Sequence, residues 1–462
     1  MNLKSKICYG TGNIGQAAFY NTFSTFLLIY VSTSMVHSLS KDNANFIIEL
    51  ITAMIVIIRV LEIFLDPVIG NIIDNTKTRF GKFKPWQLAG GILSSLMIIP
   101  LFTGLFGLFH FSFTLFIIFF VITFLVMDLT YSFRDISYWG MIPAISTSSY
   151  ERGKYTSIAS FTGAIGWNGL AAIVIPTVTY GTFLFTGNDS QGPEGWAFFG
   201  CLVAFIGCIT CISVVAGTKE SDSSIRIQNE KVRLKDVWGV FKKNDQLLWN
   251  ASAYIFFSLA NVITGGVLFF YFKFIVNDLS VFSFTGMLGM LCSLISAPLF
   301  ISLNKKTPRK YLFTGSVISM IFAYVLFIFM PINNSYMAFI PVFLFLFPQV
   351  IIQITAILTF TDSIEYGQLK TGIRNEAVIL SVRPMLDKLA GAFSNGIISL
   401  IIVSSNMSGD IANTAIKTND KIIFSLYSFM IPLLLIFISG LIFWKKVRLD
   451  EKMHANIVSE LQ

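Results

Sequence analysis

Glu62 and Asp66 stand four residues apart inside a run that is otherwise almost wholly apolar. At that spacing two side chains share one face of a helix. Two carboxylates stacked in a low-dielectric setting repel unless a cation or a proton sits between them. Such an oxygen pair can coordinate sodium or retain a proton. Arg59 offers a competing reading, in which it neutralises Glu62 while Asp66 caps the end of the helix. A second set is Asp128, Ser132, Asp135 and Trp139, whose 4-3-4 spacing lines one stripe of a helix. An acid beside an aromatic face suits a sugar: carboxylates accept paired hydroxyl hydrogen bonds, and indole stacks on the C–H face of a pyranose. The competing reading is an acid tethered by Arg134 or Lys388. Arg134 projects roughly 100° away from Asp135 on an ideal helix and is expected to serve another neighbour. A third set is Arg383, Asp387 and Lys388. Arg383 and Asp387 can neutralise each other across one turn. Lys388 lies on a different line, where it acts either as a coupling device that trades acidic partners or as half of a static salt bridge.

The elements that carry these groups are predicted to be membrane spans. Only 13% of the 462 residues are charged and 54% are hydrophobic, with a mean hydropathy of +0.72. A soluble domain carries about 25% charged residues, so an ordinary cytosolic enzyme is excluded. Apolar runs of span length predict twelve helices near 10–35, 45–72, 86–107, 111–142, 156–185, 196–216, 248–276, 280–303, 310–331, 335–361, 377–404 and 421–444. The first run is expected to be retained as a span, since it is too long for a cleavable signal. The hydrophilic stretch 217–246 divides the spans into six plus six. The expected domains are an N-terminal six-helix bundle at 1–216, a linker at 217–246, a C-terminal six-helix bundle at 247–445 and a tail at 446–462. With both termini placed in the cytoplasm, 25 of the 33 Lys and Arg fall on inside segments, a strong positive-inside bias. Each charge at the centre of a span costs about 2.5–3.5 kcal/mol on insertion scales, so each implies a partner or a wet cavity.

Other chemistry is not signalled. The net charge of +8 follows topology and does not predict a nucleic-acid partner. Cys208 and Cys211 form a C-x-x-C inside an apolar run, where they read as small buried hydrophobes. There is no Walker motif. The three histidines lie near loops or the tail, which leaves no metal cluster and no catalytic triad. Neither a cofactor nor enzymatic activity is expected.

After the second span comes D-P-V-I-G from Asp66 to Gly70, then D-N-T-K-T-R-F-G-K-F-K-P-W from Asp74 to Trp86. Together these resemble the signature of the glycoside–pentoside–hexuronide:cation symporters, a branch of the major facilitator superfamily. K-I-C-Y-G-T-G from Lys6, Y-W-G-M-I-P from Tyr138, D-S-I-E-Y-G from Asp362 and T-G-I-R-N-E from Thr371 agree with it. The resemblance implies an all-α fold of twelve transmembrane helices in two pseudo-symmetric bundles, with alternating access between them. Set against the melibiose carriers, it places cation-site acids at Glu62 and Asp66, a hydroxyl at Ser132 and a coupling lysine at Lys388. It places a sugar carboxylate at Asp135, with Trp139 and Tyr131 beside it.

Departures from that pattern are specific. The second sugar carboxylate of the family falls on Ala17, its fifth-helix arginine on Ser160, its tenth-helix tryptophan on Gln353, its eleventh-helix threonine on Pro384 and its cation-site amide on Leu65. Asp128, about two turns from Asp135, is expected to stand in for the missing acid, and Arg383 to serve an anionic sugar. The loop 71–86 is expected to act as a gate latch in which Asp74, Arg79 and Lys82 pair with Glu365, Asp362 or Arg374. The expected function is symport of a galactoside, xyloside or glucuronide with Na+ or H+, by a monomer in the cell membrane. A carrier of non-sugar cargo and a non-transporting sugar sensor are the alternatives.

Overall fold

The computed structural model describes residues 3–37, 39–76, 78–145, 149–220, 244–304, 306–331, 334–371, 376–407 and 417–461. Long apolar runs become helices because a chain in lipid must satisfy every backbone amide within its own segment. In chain order they are α1 (Leu3–Asn21), α2 (Lys41–Asn75), α3 (Lys84–Phe102), α4 (Phe113–Ile145), α5 (Ser149–Thr186) and α6 (Pro193–Gly217). There follow α7 (Asp245–Phe270), α8 (Ser283–Asn304), α9 (Arg309–Phe329), α10 (Phe339–Thr371), α11 (Glu376–Ser404), α12 (Thr418–Lys446) and α13 (Glu451–Leu461). The described residues contain no strand. α1 runs on through π-helical turns at Thr22–Phe26 and Val31–Met35, and α7 through another at Tyr271–Val276. Ten helices among the described residues are long and apolar enough to cross a membrane. α1 and α2 are not among them. α1 carries Asn13, Gln16 and Asn21, with Ser24 in the π turn beyond it, and α2 carries Arg59, Glu62 and Asp66.

Two compact units divide the chain. One is Met1–Ile227 with Phe282–Met287 and Asn406–Ala415, and the other is Gln228–Val281, Leu288–Ser405 and Ile416–Gln462. In the first unit α1 packs on α5 and α6, and α3 packs on α4 and α6. In the second, α7 packs on α11 and α12, and α9 packs on α10 and α12. The second unit thus repeats the packing of the first with every helix number raised by six.

Small residues and rings set the helix spacing, as expected where lipid offers no hydrophobic drive. A Cβ on Gly166 of α5 would lie 2.2 Å from the carbonyl oxygen of Ile14 on α1. Tyr9 on α1 and Tyr138 on α4 stack with ring centroids 4.4 Å apart. Each donates its hydroxyl to the other's backbone carbonyl, at 2.7 and 2.8 Å. In the second unit Phe313 of α9 stacks on Phe443 of α12 at 3.8 Å.

The turn into α3 folds around Glu220. The backbone amides of Lys82, Phe83 and Lys84 donate to its carboxylate at 2.7, 3.1 and 2.9 Å, where the positive end of the helix dipole favours an anion. Gly81 is needed there twice over: its φ is +110°, and a Cβ would lie 2.5 Å from the Glu220 carboxyl carbon. Trp86 Nε1 then donates to Thr76 Oγ1 at 2.7 Å, closing the loop.

The corresponding end of the second unit is tied by polar contacts. Asn244 caps α7 at the Leu247 amide and donates to Ser363 O at 2.7 Å. Gln246 accepts from the Arg448 amide at 2.7 Å. The tail 446–462 is therefore no loose end: its helix α13 packs on α10, with Leu449 and Ile457 buried against Tyr366.

Candidate functional site

In the first unit α2 faces α4. Glu62, only 3% exposed, accepts a hydrogen bond from Ser132 Oγ. Asp66 follows one turn on, half-buried, with Oδ1 sealed from solvent. Arg59, 1% exposed, lies one turn before Glu62. Its guanidinium sits 4.3 Å from the Phe23 ring centroid and donates to Ser24 Oγ at 3.3 Å. Glu62 and Asp128 are the acids whose charges act on it. A hydroxyl, three carboxylates and one arginine are thus gathered in low dielectric, where adding or removing one cation changes the balance.

Asp135 is half-buried and accepts a hydrogen bond from the side-chain amide of Gln16 on α1. Trp139, one turn further along α4, is 37% exposed and meets Tyr138 edge to face at 5.4 Å. A fixed carboxylate and an open indole face therefore stand one turn apart, able to hold a hydroxyl pair and a ring.

The stripe read from the sequence is divided among three neighbours. Ser132 goes to Glu62, Asp135 goes to Gln16, and Asp128 is buried on the Arg59 side. Tyr131 is buried, stacked on Phe19 at 5.3 Å and tilted against Tyr20 at 5.8 Å. Arg134 turns away, as its angle on the helix requires. It is fully buried, with Nη2 donating to Thr210 Oγ1 on α6 at 3.4 Å.

In the second unit Arg383 Nε lies 3.5 Å from Asp387, its neighbour one turn along α11. Asp387 also accepts from Tyr254 at 2.7 Å and from Ser258 at 3.2 Å, both on α7. Arg383 is therefore engaged with an acid and a tyrosine of its own unit. Lys388 is 6% exposed.

Of the expected gate, the side chain of Asp74 and all of Arg374 lie outside the described residues, as does 221–243 of the linker. Arg79 rests 4.7 Å from the Phe80 ring, and the Lys82 ammonium 5.0 Å from the Phe83 ring. Asp362 is bonded at 2.5 Å to Arg309, and Glu365 lies 3.6 Å from His454 Nε2. The sequence reading did not single out Gln16, Tyr20, Glu220, Tyr254 or Ser258. All but Glu220 are uncharged, so the cost of a charge in the membrane gives no signal for them.

The family described as MFS/sugar transport protein matches residues 8–451. A lactose permease of Leuconostoc lactis is 46% identical over 461 residues, spanning 100% of this chain and 72% of that protein. A raffinose carrier protein of Pediococcus pentosaceus is 35% identical, spanning 99% of this chain and 71% of that one. In fold, the crystal structure of a D-xylose-proton symporter superposes with a TM-score of 0.67 at 12% identity, covering 96% of this chain and 97% of that one. The chain belongs to the MFS/sugar transport family, within its glycoside–pentoside–hexuronide:cation symporters, and is an all-α, multi-pass membrane carrier of sugar, not an enzyme.

Proposed function

We propose that this carrier imports a galactose-containing oligosaccharide together with a monovalent cation, H+ or Na+. The observation that carries the proposal is the Asp135 carboxylate, held by Gln16, one turn from the open face of Trp139. Lactose and raffinose, named for the relatives above, both present a galactosyl unit, a pyranose with an apolar face and adjacent hydroxyls.

Glu62, Asp66 and Ser132 form the proposed cation site, with Arg59 offsetting part of its negative charge. A cation between Glu62 and Asp66 offsets their repulsion and favours the arrangement that binds sugar. By linkage the sugar then favours cation binding equally. Lys388 is the proposed coupling residue, and Asp74, Arg79, Lys82 and Glu365 the proposed gate. Twelve spans with both termini in the cytoplasm of a cell-membrane carrier, a topology supported by the distribution of Lys and Arg, and operation as a monomer complete the reading.

Uptake of labelled lactose and raffinose into vesicles, with and without imposed proton or sodium gradients, tests it. Accumulation driven by one of the two gradients is expected. Uptake of xylosides or glucuronides but of neither galactoside would overturn the cargo, and equal uptake under every gradient would overturn the coupling.

A further inference from the structure

Two aromatic faces flank the Asp135 carboxylate: Trp139 on one side, and the pair Tyr20 and Trp167 on the other. α1 and α4 run antiparallel, as three pairs show. Tyr9 lies on Tyr138, Gln16 on Asp135 and Tyr20 beside Tyr131. Tyr20 therefore stands about one turn from Asp135, on the side away from Trp139. Its ring centroid is 6.2 Å from that of Trp167 on α5, with the rings inclined at 35°. Tyr131, which marks the level of Tyr20, is about 12 Å along the α4 axis from Trp139, the reach of two linked pyranose rings.

The pair is accessible and held in place. On α1 half-burial recurs at Ile14, Ala17 and Tyr20, and every residue from Asn21 to Val36 is buried. The accessible part of that helix therefore ends at Tyr20. Trp167 is half-buried too. Ile173 and Tyr180, which are exposed on α5, lie about 120° and 140° round the helix from it, so its open side is not the one suited to lipid. Arg59 Nη1 donates to the Tyr20 hydroxyl at 3.5 Å, with the guanidinium 5.4 Å from the ring centroid. Asn21 donates to the Trp167 carbonyl oxygen at 2.9 Å, fixing α5 against α1. Among the described residues no acceptor meets the Trp167 indole N–H.

We propose that Tyr20 and Trp167 form a second-ring subsite, which makes the carrier select an oligosaccharide over free galactose. The proposal rests on Asp135 and Trp139 holding the galactosyl ring. With that ring in place, a hexose linked to it lies against Tyr20 and Trp167. Its C–H face covers the aromatic rings, and its hydroxyls meet the indole N–H. In lactose and in raffinose that second ring is a glucosyl unit. Stacking reads a face rather than a pattern of hydroxyls, so one subsite serves both linkages. A single galactose gains nothing there, because it cannot span both aromatic faces.

The test is isothermal titration of the full chain in lipid nanodiscs with lactose and with methyl β-galactoside, a single ring. The parent protein should bind lactose about tenfold more tightly. Trp167→Leu should remove that preference, Trp167→Phe should keep most of it, and Trp139→Leu should weaken both sugars. Oxidative footprinting of the unaltered protein gives the same answer without a substitution. Lactose should shield both Trp139 and Trp167, and methyl β-galactoside Trp139 alone. Equal affinity of the parent protein for the two sugars overturns the subsite, as does a Trp167 that lactose leaves unshielded. Should Trp167→Leu weaken both sugars alike, the footprint decides. If lactose shields Trp167 but neither sugar shields Trp139, the second-ring contact stands and the placement of galactose on Trp139 falls.

Discussion

The side-chain amide of Gln16 donates to the carboxylate of Asp135, joining α1 to α4 at the proposed sugar site. This contact fixes one oxygen of Asp135. Gln16 adjoins Ala17, the position where the resemblance implied a second acid. Helix I thus supplies an orienting donor in place of a second carboxylate.

Gln16→Leu should therefore weaken sugar binding by about tenfold, the cost of a lost hydrogen bond to a charged group. Cation affinity measured without sugar should stay near that of the parent. Isothermal titration with lactose and with the coupling ion gives both numbers, and an unchanged sugar affinity would show that the contact is only structural.

Ser132→Ala removes the donor to Glu62. The expected result is cation affinity lowered about tenfold or more, with sugar exchange between equal pools retained. Glu62→Gln combined with Asp66→Asn should abolish accumulation against a gradient while exchange continues. Uphill uptake by the double variant would remove these acids from the coupling mechanism.

Arg383 and Asp387 form a pair closed by Tyr254. Arg383→Ala alone leaves the half-buried Asp387 carboxylate without its cation and should lower expression and heat resistance, at a cost of about 1 kcal/mol once solvent screening is allowed for. Asp387→Asn in the same chain should restore most of the loss. If the double variant recovers stability but not uptake, Arg383 touches cargo as well; if both recover, it is a partner for Asp387 and nothing more.

Gly166→Ala places a methyl 2.2 Å from the carbonyl oxygen of Ile14. No side chain can give way there, because the obstacle is backbone. The α1–α5 seam must open, and we expect folded yield after solubilisation to drop severely. Gly265→Ala, where a Cβ meets nothing within 4 Å, is the control that should be tolerated.

Much of this was legible in the sequence because lipid is a strict solvent. The apolar runs located the helices. The helices overrun the apolar windows at their polar ends: α2 continues to Asn75 and α10 to Thr371, since intrahelical hydrogen bonding does not stop where hydropathy falls. The π turns in α1 and α7 left no trace, because one extra residue per turn changes no composition. The pairing of Ser132 with Glu62 was implied by the family resemblance, and the turning away of Arg134 was readable from its helical angle. The placement of Asp128 beside Arg59 was not, since spacing along α4 does not report which helix lies opposite. Neither did spacing reveal that Glu220 fills the nest of amides before α3, a contact formed across 136 residues.

The repeated packing of α1–α6 by α7–α12 has an evolutionary consequence. Two copies of one scaffold need not share one task. Seam glycines and stacked rings keep each copy folded, so the polar positions within it are free to drift. The acids Glu62, Asp66, Asp128 and Asp135 all lie in the first copy, and the lysine of α11 in the second. A duplicated scaffold thus keeps the proposed ion and cargo acids together in one copy and leaves the other free to supply the opposing charge, without a new architecture.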